Sequence, residues 1–458
     1  MTTARRSIAK IILPGEKFLR FFAVLAVAGI ALGCTESQRP EASGKGTIRG
    51  IHAAPTVGDA TFLIEERPLG SLAYKASTTT QPFDDLSYSF HFDTRTPGQA
   101  TQTRLASESL EVMRDMDYVF VLTGTFASPS ILLWEAAERQ WEGTETTFEV
   151  SAGHLSPGLG DIDVYFADPD TAPAAGSARG TLAFGERLPP FEVESGVYRL
   201  TITEAGNPAA VLFRAAPRDH NERTSTLFTV QDADPSITSN LSVRRYDQNG
   251  NGAEVGDTSF PPTRRFYNAA FDSGSMDVYV GDDFTTPIVT NLAFGTVSAD
   301  VEVPAAESEY TYTAAGNPGA ILAEDEDTVA ANTRGTNFVI GEPDELEVAV
   351  FADDRRPITG FSKVRIIQAS IGFEQVDIYL LPPGRDIAVT PPNLPRVATG
   401  NSSNYVHLEP GGYAITVTKT GEKTVLAGPL ALTLSSGDIV EAAILDTADP
   451  NVLTLSTY

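Results

Sequence analysis

Asp161-Ile162-Asp163-Val164-Tyr165-Phe166 is the stretch on which the reading of this chain turns. Ile162, Val164 and Phe166 point one way and Asp161, Asp163 and Tyr165 the other, the period of two expected of a half-buried β-strand. The Asp-x-Tyr core of the stretch returns as Met276-Asp277-Val278-Tyr279-Val280 and as Val376-Asp377-Ile378-Tyr379-Leu380. A divergent copy, Ala60-Thr61-Phe62-Leu63-Ile64, keeps the place but lacks both Asp and Tyr.

Used as a ruler, the aspartate position aligns the rest of the chain. Nine residues before it stand His52, His154, Asn268 and Gln368. About seventy residues after it, Pro129, Pro235, Pro343 and Pro450 each precede a strand-like run, which in the second copy is Ser236-Ile237-Thr238. Between these landmarks Leu182-Ala183-Phe184-Gly185 returns as Leu292-Ala293-Phe294-Gly295. Ala205-Gly206-Asn207-Pro208 likewise returns as Ala315-Gly316-Asn317-Pro318. Four copies of about 100 residues each have normal domain size. Each holds about seven short strand candidates separated by Gly, Pro, Asn and Asp turns, and the best helical candidate, Leu105–Met113, is short. The expected fold is all-β: four tandem immunoglobulin-like β-sandwich domains over residues 47–145, 146–257, 258–360 and 361–458. A propeller needs smaller blades, and a single barrel would not repeat at this period.

The landmarks resemble the bacterial domain-of-unknown-function family 4397. His52-Ala53-Ala54-Pro55, Asp277-Val278-Tyr279-Val280 and Gly412-Tyr413 carry the resemblance. It implies extracytoplasmic β-sandwich modules, often in tandem, and carries over no catalytic residue.

The N-terminus reads as a targeting segment. Five basic residues, Arg5, Arg6, Lys10, Lys17 and Arg20, precede the apolar run Phe21–Leu32. That run is too short to span a bilayer, which takes about 20 residues. Ala31-Leu32-Gly33-Cys34 follows, and Cys34 is the only cysteine. This resembles the lipobox of bacterial lipoproteins, with Leu32 one place closer to the cysteine than usual. The resemblance implies cleavage after residue 33, lipidation of Cys34, and attachment to the membrane through that lipid. By the sorting rule that the resemblance implies, Thr35, being other than Asp, favours the outer membrane, at its periplasmic face or the cell surface. Residues 34–46 are polar and read as a flexible tether with a reach of about 20 Å.

The formal net charge is −27. Loss of residues 1–33 would remove five basic side chains and one acidic one and leave the balance more negative still. Such a surface repels nucleic acid, so no nucleic-acid partner is expected. Without Cys34 the body forms no disulfide, and its stability must come from core burial.

Four constellations invite chemistry. The Asp/Tyr pairs (Asp163 with Tyr165, Asp277 with Tyr279, Asp377 with Tyr379) suit sugar binding, but their repetition favours an architectural role. His52 and His154 could suggest a metal. Asn268 and Gln368 at the same offset share only hydrogen-bonding capacity with them, so a bond to loop backbone is expected. Asp247-Gln248-Asn249-Gly250-Asn251-Gly252 with Asp257 opens like a calcium loop, and Asp247, Asn249, Asn251 and Asp257 are its candidate ligands. Thr258 stands where that loop has Glu, and a hairpin or linker turn is the competing reading. The acidic run Glu324-Asp325-Glu326-Asp327, with Asp282-Asp283 and Asp353-Asp354, reads as solvated loops. No Gly-x-Ser-x-Gly elbow, His-Glu-x-x-His or phosphate loop is present, and no enzyme is expected. The function expected is non-catalytic binding or adhesion to a surface polysaccharide or protein by a lipid-anchored rod of sandwiches. The alternatives are a structural spacer and a weakly calcium-dependent binding module, calcium being the one cofactor the pattern suggests.

Overall fold

The computed structural model describes residues 41–95 and 101–458. Cys34 and the targeting segment lie outside the described residues. Every regular element among the described residues is a strand. Leu105–Met113 is no exception, since most of it lies in the edge strand Thr103–Glu111. The first strand, Lys45–His52, begins inside the stretch expected as a tether.

The strands form eight sheets of four or five strands, and no ladder joins a strand of one repeat to a strand of another. The third repeat shows the plan. One sheet has the order Val301–Glu302, Thr263–Asn268, Arg334–Glu342, Glu345–Ala352. Its partner has the order Val289–Leu292, Met276–Val280, Glu307–Ala314, Ile321–Thr328. Phe266 and Val339 from the first sheet meet Met276, Val278, Tyr310 and Tyr312 from the second in one buried cluster. Equivalent clusters join the two sheets of the other repeats. Ile162, Val164 and Phe166 all lie in the core of sandwich 2, as their alternation requires.

One strand pair in each sandwich is parallel. Lys45–His52 runs parallel to Met116–Thr125, Thr147–Leu155 to Ser225–Asp232, Thr263–Asn268 to Arg334–Glu342, and Ser362–Gln368 to Ile439–Asp446. A hairpin cannot make such a pair. Between its two members the chain crosses to build the opposite sheet, and this crossover closes each sandwich.

The second repeat departs from the expected run after its proline. Ser236 N–H donates to Asp234 Oδ1 (2.8 Å), and Ile237 N–H to Asp234 O (3.2 Å). These bonds hold Ser236–Thr238 in a turn, and the closing strand is Leu241–Asp247. Two short strands, Arg218–His220 and Gly252–Val255, extend this repeat's sheets to five strands.

Residues Gly44–Tyr458 form one compact unit that contains all eight sheets. The sandwiches inside it are not strung as a rod. Ile51, Val119, Val121 and Trp134 on the outer face of sandwich 1 pack with Leu155, Leu227 and Tyr246 of sandwich 2. Trp134 Nε1–H donates to Gly185 O (2.7 Å), and Tyr246 Oη–H donates to Lys75 O (2.9 Å). Gly153 is what lets the indole in, for a Cβ there would lie 2.2 Å from the ring.

Sandwiches 3 and 4 share a second seam of Tyr267, Phe338, Ile340, Ile367, Ala443 and Leu445. The segment after Ala352 then reaches sandwich 1. Arg356 Nη1–H donates to Pro55 O (2.6 Å) and Val57 O (3.0 Å), and its guanidinium stands 4.6 Å from the Tyr74 ring centroid. Thr359 N–H donates to Thr56 O (3.1 Å), and Phe361 meets Phe126 edge-on. The chain therefore folds back so that its last repeat touches its first.

The first seam sets a test. Trp134→Ala should cost about 3–5 kcal/mol, the usual loss for truncating a buried Trp. Equilibrium urea unfolding reads this as a lower midpoint. Independent modules would instead leave the midpoint almost unchanged.

Candidate functional site

The recurring polar residues are the first candidates, and the fold uses all of them. The Asp of each Asp-x-Tyr strand brackets two neighbouring hairpins. Asp163 accepts from Thr181 Oγ1 (2.5 Å) on one side and Gly206 N–H (2.8 Å) on the other. Asp277 accepts from Asn291 N–H (2.7 Å) and Gly316 N–H (2.7 Å), and Asp377 from Arg396 N–H (2.8 Å) and Gly421 N–H (2.9 Å). Gly206, Gly316 and Gly421 have φ of 72°, 74° and 74°, the left-handed turn conformation that glycine takes without strain. The Ala-Gly-Asn repeat is thus the other half of the Asp repeat. In the first copy Thr61 Oγ1 accepts from Gln102 Nε2–H (3.3 Å) instead. Tyr165, Tyr279 and Tyr379 share the outward face with these aspartates but are buried there. The Tyr379 hydroxyl accepts from Lys423 Nζ (2.7 Å).

The column nine residues earlier is fully buried in every copy. His52 Nε2–H donates to Gly58 O (2.9 Å), while Ala54 N–H donates to Nδ1 (3.3 Å). His154 repeats this with Gly160 O (3.1 Å) and Ser156 N–H (3.3 Å). Asn268 does the same with its amide, donating to Gly274 O (2.8 Å) and accepting from Ala270 N–H (3.1 Å). Gln368 keeps the donor half, to Phe373 O (3.0 Å). A donor–acceptor pair that closes the following loop is what the four residue types have in common. The donors fix the neutral histidine tautomer. Burial pulls His52 down to about 4, against a smaller upward pull from its bond to Gly58 and a further downward one from Arg356. Burial lowers His154 too.

Of the calcium-loop residues, Asp247, Asn249 and Asn251 share one turn, and Asp257 does not join them. Asp247 ends one strand and accepts through Oδ1 from Asn249 N–H (2.9 Å) and Asn251 N–H (2.9 Å), and through Oδ2 from Asn251 Nδ2–H (2.8 Å). Gly250, with φ of 90°, completes a hairpin turn. Asp257 lies beyond the far end of Gly252–Val255, where Oδ1 accepts from Ser259 N–H (2.9 Å). The turn docks on sandwich 1 instead, with Thr80 Oγ1–H donating to Gln248 O (2.8 Å) and Arg49 Nη1–H to Asp247 O (3.0 Å). Among the described residues no three His, Cys, Asp or Glu side chains are grouped to hold a metal ion.

The acidic runs are partly structural. Asp327 pairs with Arg264 at 3.1 Å from an edge strand. Asp353 is buried among Arg265 (3.0 Å), Arg355 (2.8 Å) and Arg365 (3.0 Å), and these guanidiniums outweigh burial to hold its carboxyl below the usual range. Arg265 also binds Glu441 across the seam between sandwiches 3 and 4, and Arg365 binds the same carboxylate from within sandwich 4.

Two larger spaces are open: a more polar one of about 740 Å3 where sandwich 1 meets sandwich 2, and a mainly apolar cleft of about 700 Å3 at the junction of sandwiches 2 and 3. The size of this cleft is that of a small-molecule site. Phe166, Leu200 and Phe228, at the end of the sandwich 2 core, form one wall, and Val303, Ala305 and Val329 of sandwich 3 the other. The two strands that only sandwich 2 possesses border it through Arg218, His220, Glu254 and Val255. The segment singled out between copies two and three does line a concave surface, through side chains that the calcium pattern ignored. Arg218, His220 and Arg245 carry no repeat signal and were legible only as scattered cations.

The model of the domain of unknown function DUF4397 matches residues 46–165 and 263–379, more than half of the chain. The chain belongs to the DUF4397 family. Each matched stretch runs from the first strand of a sandwich through the Asp-x-Tyr strand of the next. No curated protein matches this DUF4397 chain. Among solved structures, one described as "Alpha-glucan binding by a streptococcal virulence factor" is 12% identical, covering 43% of this chain and 97% of that chain at a TM-score of 0.18. Another, described as "The Bacillus anthracis TIE protein", is 9% identical, covering 89% of this chain and 69% of that chain at a TM-score of 0.15. Similarity at that level carries no argument about a ligand.

The buried histidines set the sign of a pH effect. Because the folded-state value of His52 lies below its ordinary 6.5, its neutral form stabilises the fold fully above that value. The contribution is lost as the pH falls from about 6.5 towards 4, by about 2 kcal/mol at pH 4.5. His52→Asn, the solution sandwich 3 already uses, should fold and show a shallower loss of thermal midpoint between pH 7 and 4.5 than the parent chain.

Proposed function

We propose that this chain is a lipid-anchored, non-catalytic binding protein of the bacterial cell envelope. In this reading it is held by a lipid on Cys34 at the outer membrane and binds a surface polysaccharide or an envelope protein. The observation that carries the reading is the division of labour among the polar groups. The repeated carboxylates and imidazoles, which would be the natural catalytic or metal-binding candidates, have their hydrogen-bonding atoms committed to loop backbone. The cleft is bordered by strands that a single sandwich has acquired, and differences between copies of a repeated scaffold are where recognition is expected to reside.

A structural component without a dedicated ligand is the second reading. The two apolar seams favour it, because they spend sheet faces on holding the sandwiches to each other.

The binding reading is tested by incubating the body, Gly44–Tyr458, with separated envelope-protein and surface-polysaccharide fractions. Retention of one saturable partner is the expected result. No retained material from either fraction would decide for the structural reading. The anchor is tested separately. Cys34→Ser should move the protein from the membrane fraction to the soluble one, and an unchanged membrane fraction would remove the lipid from the account.

A further inference from the structure

The cleft between sandwiches 2 and 3 has a second chamber. Beside the apolar space of about 700 Å3 lies a polar one of about 180 Å3, bordered by Asn221, Thr224, Thr226 and Gln248 and by the carboxylates of Asp219 and Asp247. Arg218, His220 and Arg245 border both chambers. Two guanidiniums and a neutral imidazole thus meet where an apolar space joins a polar one, in a chain whose net charge is −27.

Asp247 attracts Arg245 and Asp219 attracts His220, but among the described residues neither guanidinium is closed into an ion pair. Glu254 pairs with Arg244 (3.5 Å) and Lys75 (3.7 Å), and Glu222 with Arg223 (2.5 Å). Both Asp247 oxygens are engaged by their own turn. Arg218 and Arg245 are left without a carboxylate partner at ion-pair distance among the described residues. Asp219, exposed beside Arg218, is the nearest acid in sequence. The strain registers electrostatically. Burial first, then Arg218 and Arg245, push His220 down to about 4, and burial with Arg218 pushes Arg245 below its usual range. His220 is held in this position by stacking on Phe148, with ring centroids 4.7 Å apart and planes 12° apart.

We propose that the two chambers together bind a single-chain anionic amphiphile. Its acyl chain lies between Phe166, Phe228, Val303 and Val329, and its carboxylate or phosphate head faces Arg218 and Arg245. The apolar chamber supplies most of the binding by burial of the chain. The half-buried Arg245 and the exposed Arg218 select the charged head and gain the close ion pair that neither makes within the protein. The ligand is distinct from the polysaccharide or protein partner proposed above, so either idea can fail without the other.

Isothermal titration calorimetry on Gly44–Tyr458 with laurate, dodecyl phosphate and dodecanol, each kept below its aggregation threshold, tests this. The expected result is one laurate or one dodecyl phosphate bound per chain, with dodecanol at least about tenfold weaker. Which of the two anions binds tighter identifies the head group. Arg218→Gln with Arg245→Gln should weaken the anion about tenfold and leave dodecanol unchanged. Both side chains are partly or fully exposed, so the fold should survive, which an unchanged thermal midpoint would verify. Ala305→Trp, at an exposed position on the apolar wall, should abolish binding of all three probes. No saturable binding of either anion, equal affinity for dodecanol, or indifference to the double substitution would each overturn the proposal.

Discussion

A peptide group taken out of water must keep its hydrogen bonds, and that requirement organises every sandwich in this chain. Where the first strand of each copy ends, the chain leaves the buried interior through a loop before it can enter the second sheet. A single side chain at that point supplies a donor to the loop's far carbonyl and, in three copies, an acceptor for a nearby N–H. Histidine, asparagine and glutamine all serve because the geometry asks for an amide-like pair of functions and not for a metal ligand. The aspartate bracket answers the same demand in the second sheet, where one carboxylate caps a turn and an edge strand at once. With both ends of the crossover tied, the parallel pair in the first sheet can close.

The second constraint is that most sheets here have two faces and only one belongs to a sandwich core. In the sheets that carry the parallel pairs the outer face is apolar and packs on a neighbouring sandwich. The buried charges of the second seam, Asp353 and Glu441 with Arg265 and Arg365, would be costly if left unpaired, since an unpartnered buried charge is strongly destabilising. Their pairing ties the linker, sandwich 3 and sandwich 4 into one arrangement. Arg356 and Phe361 then carry the chain back to sandwich 1. Tandem duplication accordingly yields one body in place of a row of beads.

The cleft follows from the same geometry. Part of its border consists of elements that the repeat itself does not supply. Arg218–His220 and Gly252–Val255 are such additions, and both border the space at the junction with sandwich 3. The Asp247 turn, which looks like an ion-binding loop in one dimension, is the tip of that hairpin and rests on sandwich 1.

The sequence by itself determined the strand content, the four copies, the inward face of each Asp-x-Tyr strand and the architectural role of the His/Asn/Gln column. These depend on local alternation and on constant spacing, both of which survive in one dimension. It also held an unread sign of the seams. Tyr118-Val119-Phe120-Val121-Leu122 and Phe338-Val339-Ile340 are continuous apolar runs, the mark of strands buried on both faces. Only the tertiary structure decided which outer faces meet, that the last repeat touches the first, and that Arg218, His220 and Arg245 share a wall. Those facts depend on contacts between residues tens to hundreds of positions apart, and no periodicity along the chain encodes which surfaces will find each other.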